Sequence, residues 1–247
     1  GLITLLPEMF AALSDYGVCG RAVRKGLVEL DLLNPRDFTA DKHRTVDDKP
    51  FGGGPGMLMK TEPLVAAIRA SKKRLTGDSG QAPKIVYLSP QGRPVKQQQI
   101  VAAAQSEAIV LVCGRYQGID ERVVEAEIDE EWSLGDFVIS GGEFAAMAIV
   151  DAMIRRQSGA LGDDESALQD SFEDNLLHAP EYTRPQSFEG REVPQVLLSG
   201  DHAAIARWRR KQALGVTQRK RPDLLDELEL SEEQKALLDE FERDQNN

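Results

Sequence analysis

Over the first 155 positions, apolar residues fall into short runs separated by segments of mixed polarity. Leu2 to Leu6 predicts a strand, followed by a helix from about Pro7 to Leu13. Leu27 to Leu33 predicts a second strand. Thr61 to Leu75 predicts a helix: Thr61 can cap it, Pro63 sits in its first turn, and Leu64, Ile68 and Leu75 lie near one stripe. A strand from Ile85, a helix from Val95 to Gln105, a strand from Ile109 and a helix from Asp120 to Glu127 follow. A short strand at Phe137 to Ile139 and a helix from Glu143 to Arg156 complete the set. Strands that alternate with helices predict an α/β fold whose parallel sheet is covered on both faces.

The pattern changes at Gln157. Ser158 to Ser166 is small, acidic and glycine-containing, and reads as a linker. Beyond it the periodicity is mostly helical. Asp201 can cap a helix that runs to about Leu214 and is closed by Gly215. Ser231-Glu232-Glu233-Gln234 is a capping box ahead of a last helix with Leu237, Leu238 and Phe241 apolar. The expected division is residues 1–157 as one domain, 158–172 as a flexible linker and 173–247 as a small, mostly helical domain.

Three of the apolar runs break into glycine-containing loops: Ser89-Pro90-Gln91-Gly92, Gly114-Arg115-Tyr116-Gln117-Gly118 and Ser140-Gly141-Gly142-Glu143. In open α/β sheets ligands bind beyond the carboxyl ends of the strands, where such loops gather. Glycine also lets main chain approach a ligand closely. The three loops therefore predict a small-molecule pocket built largely from backbone.

Charge alters the picture locally. The 247 residues carry a net charge of −11, which disfavours nucleic-acid binding over the whole surface. Yet seven basic residues and no acids lie between Ala203 and Pro222: Arg207, Arg209, Arg210, Lys211, Arg219, Lys220 and Arg221. That suits a protein that meets a polyanion at one place, and a solvated helix face fits the charge equally well. Trp208 sits among the arginines, and with Ile205 and Gln212 on one face it reads as core. Two cysteines, Cys19 and Cys113, make neither a disulfide framework nor a metal site and read as small buried hydrophobes. No run approaches the roughly 20 apolar residues of a membrane span. The expected compartment is the cytoplasm.

Several chemistries lose ground. The chain has no G-x-x-x-x-G-K-[ST], no G-x-G-x-x-G after a strand and no G-x-S-x-G, and its three histidines lack metal-ligand spacing. Main-chain recognition of a ligand remains, with Arg155, Asp163, Asp164 and Asp170 around the linker. A carboxylate beside an arginine suits acid–base work, although acids in a linker are more often merely solvated.

The loops belong to a longer series of matching segments. Leu5-Leu6-Pro7-Glu8-Met9-Phe10, Asp15-Tyr16-Gly17, Pro35-Arg36-Asp37-Phe38-Thr39 and His43-Arg44-Thr45-Val46-Asp47-Asp48 begin it. Gly52 to Met59, Tyr87 to Arg93, Cys113 to Val123 and Ile128 to Ser133 continue it. Gly141-Gly142-Glu143, Asp170-Ser171-Phe172, Tyr182-Thr183-Arg184-Pro185 and Val196 to Gly200 complete it. In that order they resemble the bacterial tRNA (guanine-N1)-methyltransferase family of the SPOUT superfamily. The resemblance implies an α/β domain closed by a C-terminal trefoil knot, an architecture patterning alone cannot reveal. It implies methyl transfer from S-adenosylmethionine to N1 of guanosine 37 of tRNA, beside the anticodon.

By the same resemblance, Tyr87, Leu88, Ser89 and Pro90 form one wall of the S-adenosylmethionine site. Gly114, Tyr116, Gln117 and Gly118 form a second, and Ser133, Leu134, Gly135, Asp136, Phe137, Val138, Ile139, Ser140, Gly141 and Gly142 the third. Asp170 is implied as general base and Arg155 as the cation that neutralises charge on O6. Arg207, Arg209, Arg210 and Lys211 are implied in contact with tRNA, and His43 and Gly56 in contact with the tRNA or with the partner subunit. An antiparallel homodimer is implied, in which Arg155 faces Asp170 of the partner subunit. Magnesium is associated with the family's activity, but no carboxylate cluster in the sequence identifies a site. The chain departs from the family at Gln117, where a glutamate is usual; hydrogen bonding is kept and charge is lost. Two other readings stay open: a SPOUT methyltransferase with a different RNA target, and a non-catalytic RNA-binding protein.

Overall fold

The computed structural model describes residues 1–76, 80–163 and 169–245. The chain divides into two compact units, Gly1–Asp164 and Glu165–Asn247. Part of the expected linker, 164–168, lies outside the described residues.

In the first unit the strands are β1 (Leu2–Ile3), β2 (Leu32–Leu33), β3 (Asp47–Asp48), β4 (Leu58–Met59), β5 (Lys84–Pro94), β6 (Ile109–Cys113) and β7 (Glu130–Ser133). The helices are α1 (Ala11–Ser14), α2 (Gly17–Arg24), α3 (Thr61–Leu75), α4 (Gln97–Ala104), α5 (Glu121–Glu127) and α6 (Glu143–Ile154). Five strands make one parallel sheet in the order β2-β1-β6-β5-β7, and β3 and β4 pair separately as an antiparallel ribbon.

The continuous apolar runs of β5 and β6 are what a parallel sheet buried on both faces requires. Side chains alternate across it. Val86, Leu88, Leu111 and Cys113 face one core, shared with Ile149 and Ile154 of α6. Ile85, Tyr87, Val110 and Val112 face the other, shared with Leu64 and Ile68 of α3 and Val123 of α5.

Several local expectations are corrected. The last strand is Glu130–Ser133, and 137–139 is not a strand. Trp132 takes the pairing positions beside Leu88 and Arg93, and Phe137, Val138 and Ile139 are exposed at the cavity described below. The second strand contracts to Leu32–Leu33. The expected helix at Pro7 opens as a 3-10 turn over Pro7–Phe10, and α2 follows it unannounced. Lys60 stands at the N-cap of α3 while the Thr61 hydroxyl turns to Glu62 at 3.0 Å.

The second unit contains a two-residue ribbon, β8 (Ser187–Phe188) with β9 (Arg191–Glu192), and the helices α7 (His202–Lys220), α8 (Pro222–Asp226) and α9 (Glu232–Gln245). Asp201 caps α7 by accepting from the Ala203 and Ala204 N–H groups at 3.0 Å. The box at Ser231 forms as expected, with Ser231 Oγ and Gln234 Oε1 each accepting from the other residue's N–H. Gly215 does not stop α7. A Cβ there would lie 2.2 Å from the Phe241 ring, so the glycine is a groove in which α9 rests. Leu214 and Leu237 are buried together beside that contact.

Candidate functional site

The sheet order reverses around β5: the chain passes from β5 to β6 on one side and then to β7 on the other. Such a reversal leaves a crevice at the carboxyl ends of the strands. A cavity of about 290 Å³ lies there, lined by the ends of β5, β6 and β7 and the loops after them. That volume is at the small end of the roughly 300–1,000 Å³ usual for ligand clefts. Of the residues expected to hold the cofactor, all except Asp136 line it. The Phe137 N–H donates to the Gly135 carbonyl at 2.9 Å, and the tight turn leaves Asp136 exposed at its apex. Arg115, Trp132 and Ala145 line the cavity as well and were not singled out by sequence.

The walls touch through main chain. The Gly142 N–H donates to the Gly114 carbonyl at 2.9 Å. A Cβ on Gly142 would lie 2.8 Å from Cys113 Cα, so any side chain there pushes the second and third loops apart. Tyr87 occupies the space beside Gly114, where a Cβ would come within 2.8 Å of its ring and hydroxyl. Burial, then the Glu131 carboxylate, pushes the Tyr87 phenol up to about 12, so it remains a neutral wedge.

One buried ion pair ties the loops to the fold. Glu143 is fully buried in the first turn of α6, where the helix dipole favours a carboxylate. It accepts from Thr4 Oγ1 at 2.8 Å and from Arg115 Nε at 2.9 Å. The same guanidinium reaches the Ser140 carbonyl at 3.4 Å. Thus Thr4, just after β1, and Arg115 of the second loop meet at one carboxylate, and the same arginine holds the third loop. Burial, followed by that negative charge, drives the nearby Cys113 thiol well above its ordinary range, which suits an inert packing role. Cys19 is also buried, donates to Asp151 at 2.9 Å and is pushed by burial to about 12.

The second loop has an outer support. Gln117 N–H donates to the Met57 carbonyl at 2.9 Å, and Met59 N–H to the Gly118 carbonyl at 3.0 Å. Gly56, at φ +89°, makes room for Gln117: a Cβ there would lie 2.6 Å from Gln117 Cγ. His43 is exposed on the loop held by Asp41, away from the cavity lining.

Arg155 follows the last residue of α6. The helix has twelve residues, so Arg155 stands about 18 Å along its axis from the cavity at Gly142. Asp170 belongs to the second unit, at the rim of a different cavity of about 320 Å³ with His178, Arg209 and Arg210.

The basic residues of α7 are largely engaged. Arg207 pairs with Glu240 at 2.6 Å and Arg210 with Asp174 at 2.8 Å. Lys211, one of the residues expected at tRNA, is packed against α9. Only 9% of its side chain is exposed, and its ammonium holds Glu240 at 2.8 Å and Asp244 at 2.6 Å. Hydrogen bonds from Arg207 and then Lys211 depress the Glu240 carboxyl to about 2. Trp208 is half-buried rather than core, its ring centroid 6.4 Å from that of Tyr182. Among the described residues no group of three or more His, Cys, Asp or Glu side chains is placed to hold a metal ion.

The chain matches the family model described as tRNA (Guanine-1)-methyltransferase TrmD over residues 1–227. It is similar to a protein of Photorhabdus laumondii, 56% identical over 244 residues that cover 99% of this chain and 96% of the relative. A protein of Cronobacter sakazakii is 57% identical over 241 residues, covering 98% and 92%. One of Shewanella sediminis is 56% identical over 241 residues, covering 98% of each. All three carry the name tRNA (guanine-N(1)-)-methyltransferase.

Proposed function

The chain belongs to the tRNA (guanine-1)-methyltransferase family, and from that premise we propose that it methylates guanosine 37, beside the anticodon. It is an enzyme that transfers a methyl group to N1 of guanine in tRNA, with S-adenosylmethionine as the donor the family implies. The observation that carries the reading of the site is the backbone-lined cavity at the reversal of the sheet. Its residues fit the donor. Leu134, Phe137, Val138 and Ile139 offer apolar surface to an adenine ring, and the close main-chain approach at Gly114 and Gly142 leaves no room for side chains. We read the three loops as the loops of a trefoil knot.

The donor supplies a methyl group on a sulfonium leaving group. Guanine N1 carries a proton and is a poor nucleophile until that proton leaves. Asp170 takes it, and the Arg155 guanidinium faces O6, where negative charge develops. Positioned charge of this kind is typically the larger catalytic contribution. The guanine has to leave its stack to reach the cavity. About 18 Å of helix between Arg155 and the cavity of its own chain supports an active site shared between two subunits. In that homodimer Arg155 of one chain meets Asp170 of the partner subunit. The second unit grips the anticodon stem through phosphates, with Arg209 as the leading contact and His43 and Gly56 at the substrate's edge. Magnesium finds no carboxylate cluster among the described residues, and no step runs through it. No helix among the described residues is long and apolar enough to cross a membrane; a cytoplasmic enzyme is the matching expectation.

The test is labelled methyl transfer to tRNA transcripts that differ only at position 37. Labelling with guanosine at 37, none with adenosine there and none with Asp170→Ala are expected. Equal labelling of both transcripts would move the target elsewhere in the tRNA.

A further inference from the structure

Asp170 lies in a turn that one histidine holds from both sides. His178 Nδ1 is hydrogen-bonded to the carbonyl of Gln169, the residue before Asp170. The main-chain N–H of His178 donates to Ser171 Oγ, the residue after it, at 3.0 Å. A carbonyl oxygen only accepts, so Nδ1 carries the hydrogen and donates. The other ring nitrogen lies 3.1 Å from Glu181 Oε1.

The anchor is itself fixed to α7. Leu177 N–H donates to Thr217 Oγ1 at 2.8 Å, and the fully buried Thr217 hydroxyl donates to the Ala213 carbonyl at 2.7 Å. Leu176 is buried against Leu214 and Leu237, and its carbonyl accepts from Phe172 N–H at 2.7 Å. Phe172 and Asn175, neither of them glycine, adopt φ of +76° and +56°. Backbone of that kind is unfavourable for a residue with a Cβ, least so for asparagine, and persists where the surroundings over-determine it. The turn that carries Asp170 is thus a built feature, although Asp170 itself is exposed.

We propose that His178 is a positioning residue for methyl transfer, bracketing Asp170 through Gln169 and Ser171 and tying the turn that carries it to the basic helix α7. The proposal rests on Asp170 acting as the base that takes the N1 proton. An untethered turn carries its carboxylate through many positions; the bracket fixes the chain on either side of Asp170 before substrate arrives. A displacement of about 1 Å at a reacting group can cost on the order of a hundredfold in rate. The ring touches neither reacting atom and acts through Asp170 alone.

The experiment is single-turnover methyl transfer by the full-length protein to a tRNA transcript with guanosine at 37, together with KM for tRNA and calorimetric binding of S-adenosylmethionine. His178→Ala is expected to lower the rate about tenfold to a hundredfold, with KM and donor affinity within about twofold of the original. His178→Asn, whose amide N–H can reach the same carbonyl from the same distance along the side chain, is expected to restore most of the rate. Ser171→Ala, which opens the other side of the bracket, is expected to lower the rate by a smaller factor. A normal rate for His178→Ala overturns the proposal, as does a loss confined to KM or an equal loss in the Ala and Asn variants. Should His178→Ala fail to fold, an unchanged rate in Ser171→Ala overturns it. Asp170→Ala separates the two layers. If it retains the full rate, the base assignment falls and the positioning role with it. If it is inactive while His178→Ala is normal, the positioning role alone falls.

Discussion

The cavity of the first unit and the basic helix of the second are built by opposite means. Around the cavity, loop meets loop through peptide groups, and a buried ion pair, Arg115 with Glu143, is locked inside the fold. On α7 the side chains carry the interactions, and Arg207, Arg210 and Lys211 each hold a carboxylate of the same unit. A site made of main chain tolerates no added atom and is indifferent to surface charge. A surface made of side chains accepts added atoms and depends on which charges are already spent.

The sharpest way to break that contrast is Glu143→Ala. Removing one partner of a buried pair costs about 3–5 kcal/mol because the other charge is left uncompensated. Urea unfolding should show a loss of that size, and calorimetry should show S-adenosylmethionine binding abolished. An unchanged urea midpoint would mean that the loops hold without the pair. Next is Gly215→Ala, which places a Cβ 2.2 Å from the Phe241 ring. Overpacking of this kind costs about 1–3 kcal/mol. Pairing it with Phe241→Leu should return part of the loss in thermal melts, and a purely additive double variant would rule out the groove.

A smaller effect is tied to pH. Glu240 is depressed from 4.5 to about 2 by Arg207 and Lys211, so its contribution is fully present above about pH 4.5 and drains away as pH falls toward about 2. Melting temperatures taken across that window should decline, and Glu240→Gln should flatten the decline. Least in size is a binding comparison. Arg209→Ala should weaken tRNA binding and reduce the slope of log K against log salt by about one, as expected for one phosphate contact. Lys211→Met should leave that slope alone, since its charge is spent on Glu240 and Asp244. A slope lowered by the Lys211 variant would show that the ion pairs open on RNA.

The same division explains what could be read in advance. β5, β6 and the loops after them were legible because buried parallel strands are plain apolar runs and main-chain sites leave glycines behind. The apolar stretch 137–139 misled because its side chains serve the cavity and not a ladder, a distinction periodicity cannot make. Gly215 misled because a glycine closes a helix or admits a neighbour, and only the position of Phe241 decides which. Arg115 went unnoticed because its partner lies 28 residues away, and the ion pairs of Lys211 because theirs lie 29 and 33 away. Pairings at such separations are set by tertiary packing, and local pattern holds no trace of them.

The packing of α9 on Gly215 has a genetic consequence. The stretch that matches the family model ends at residue 227, while Leu237 and Phe241, which bury Leu214 and close the groove at Gly215, come after it. A stop codon just beyond that boundary would spare the whole stretch that the family model matches. It would also strip the basic helix of the surface it folds against, so the lesion would look harmless on a sequence and behave as a null allele.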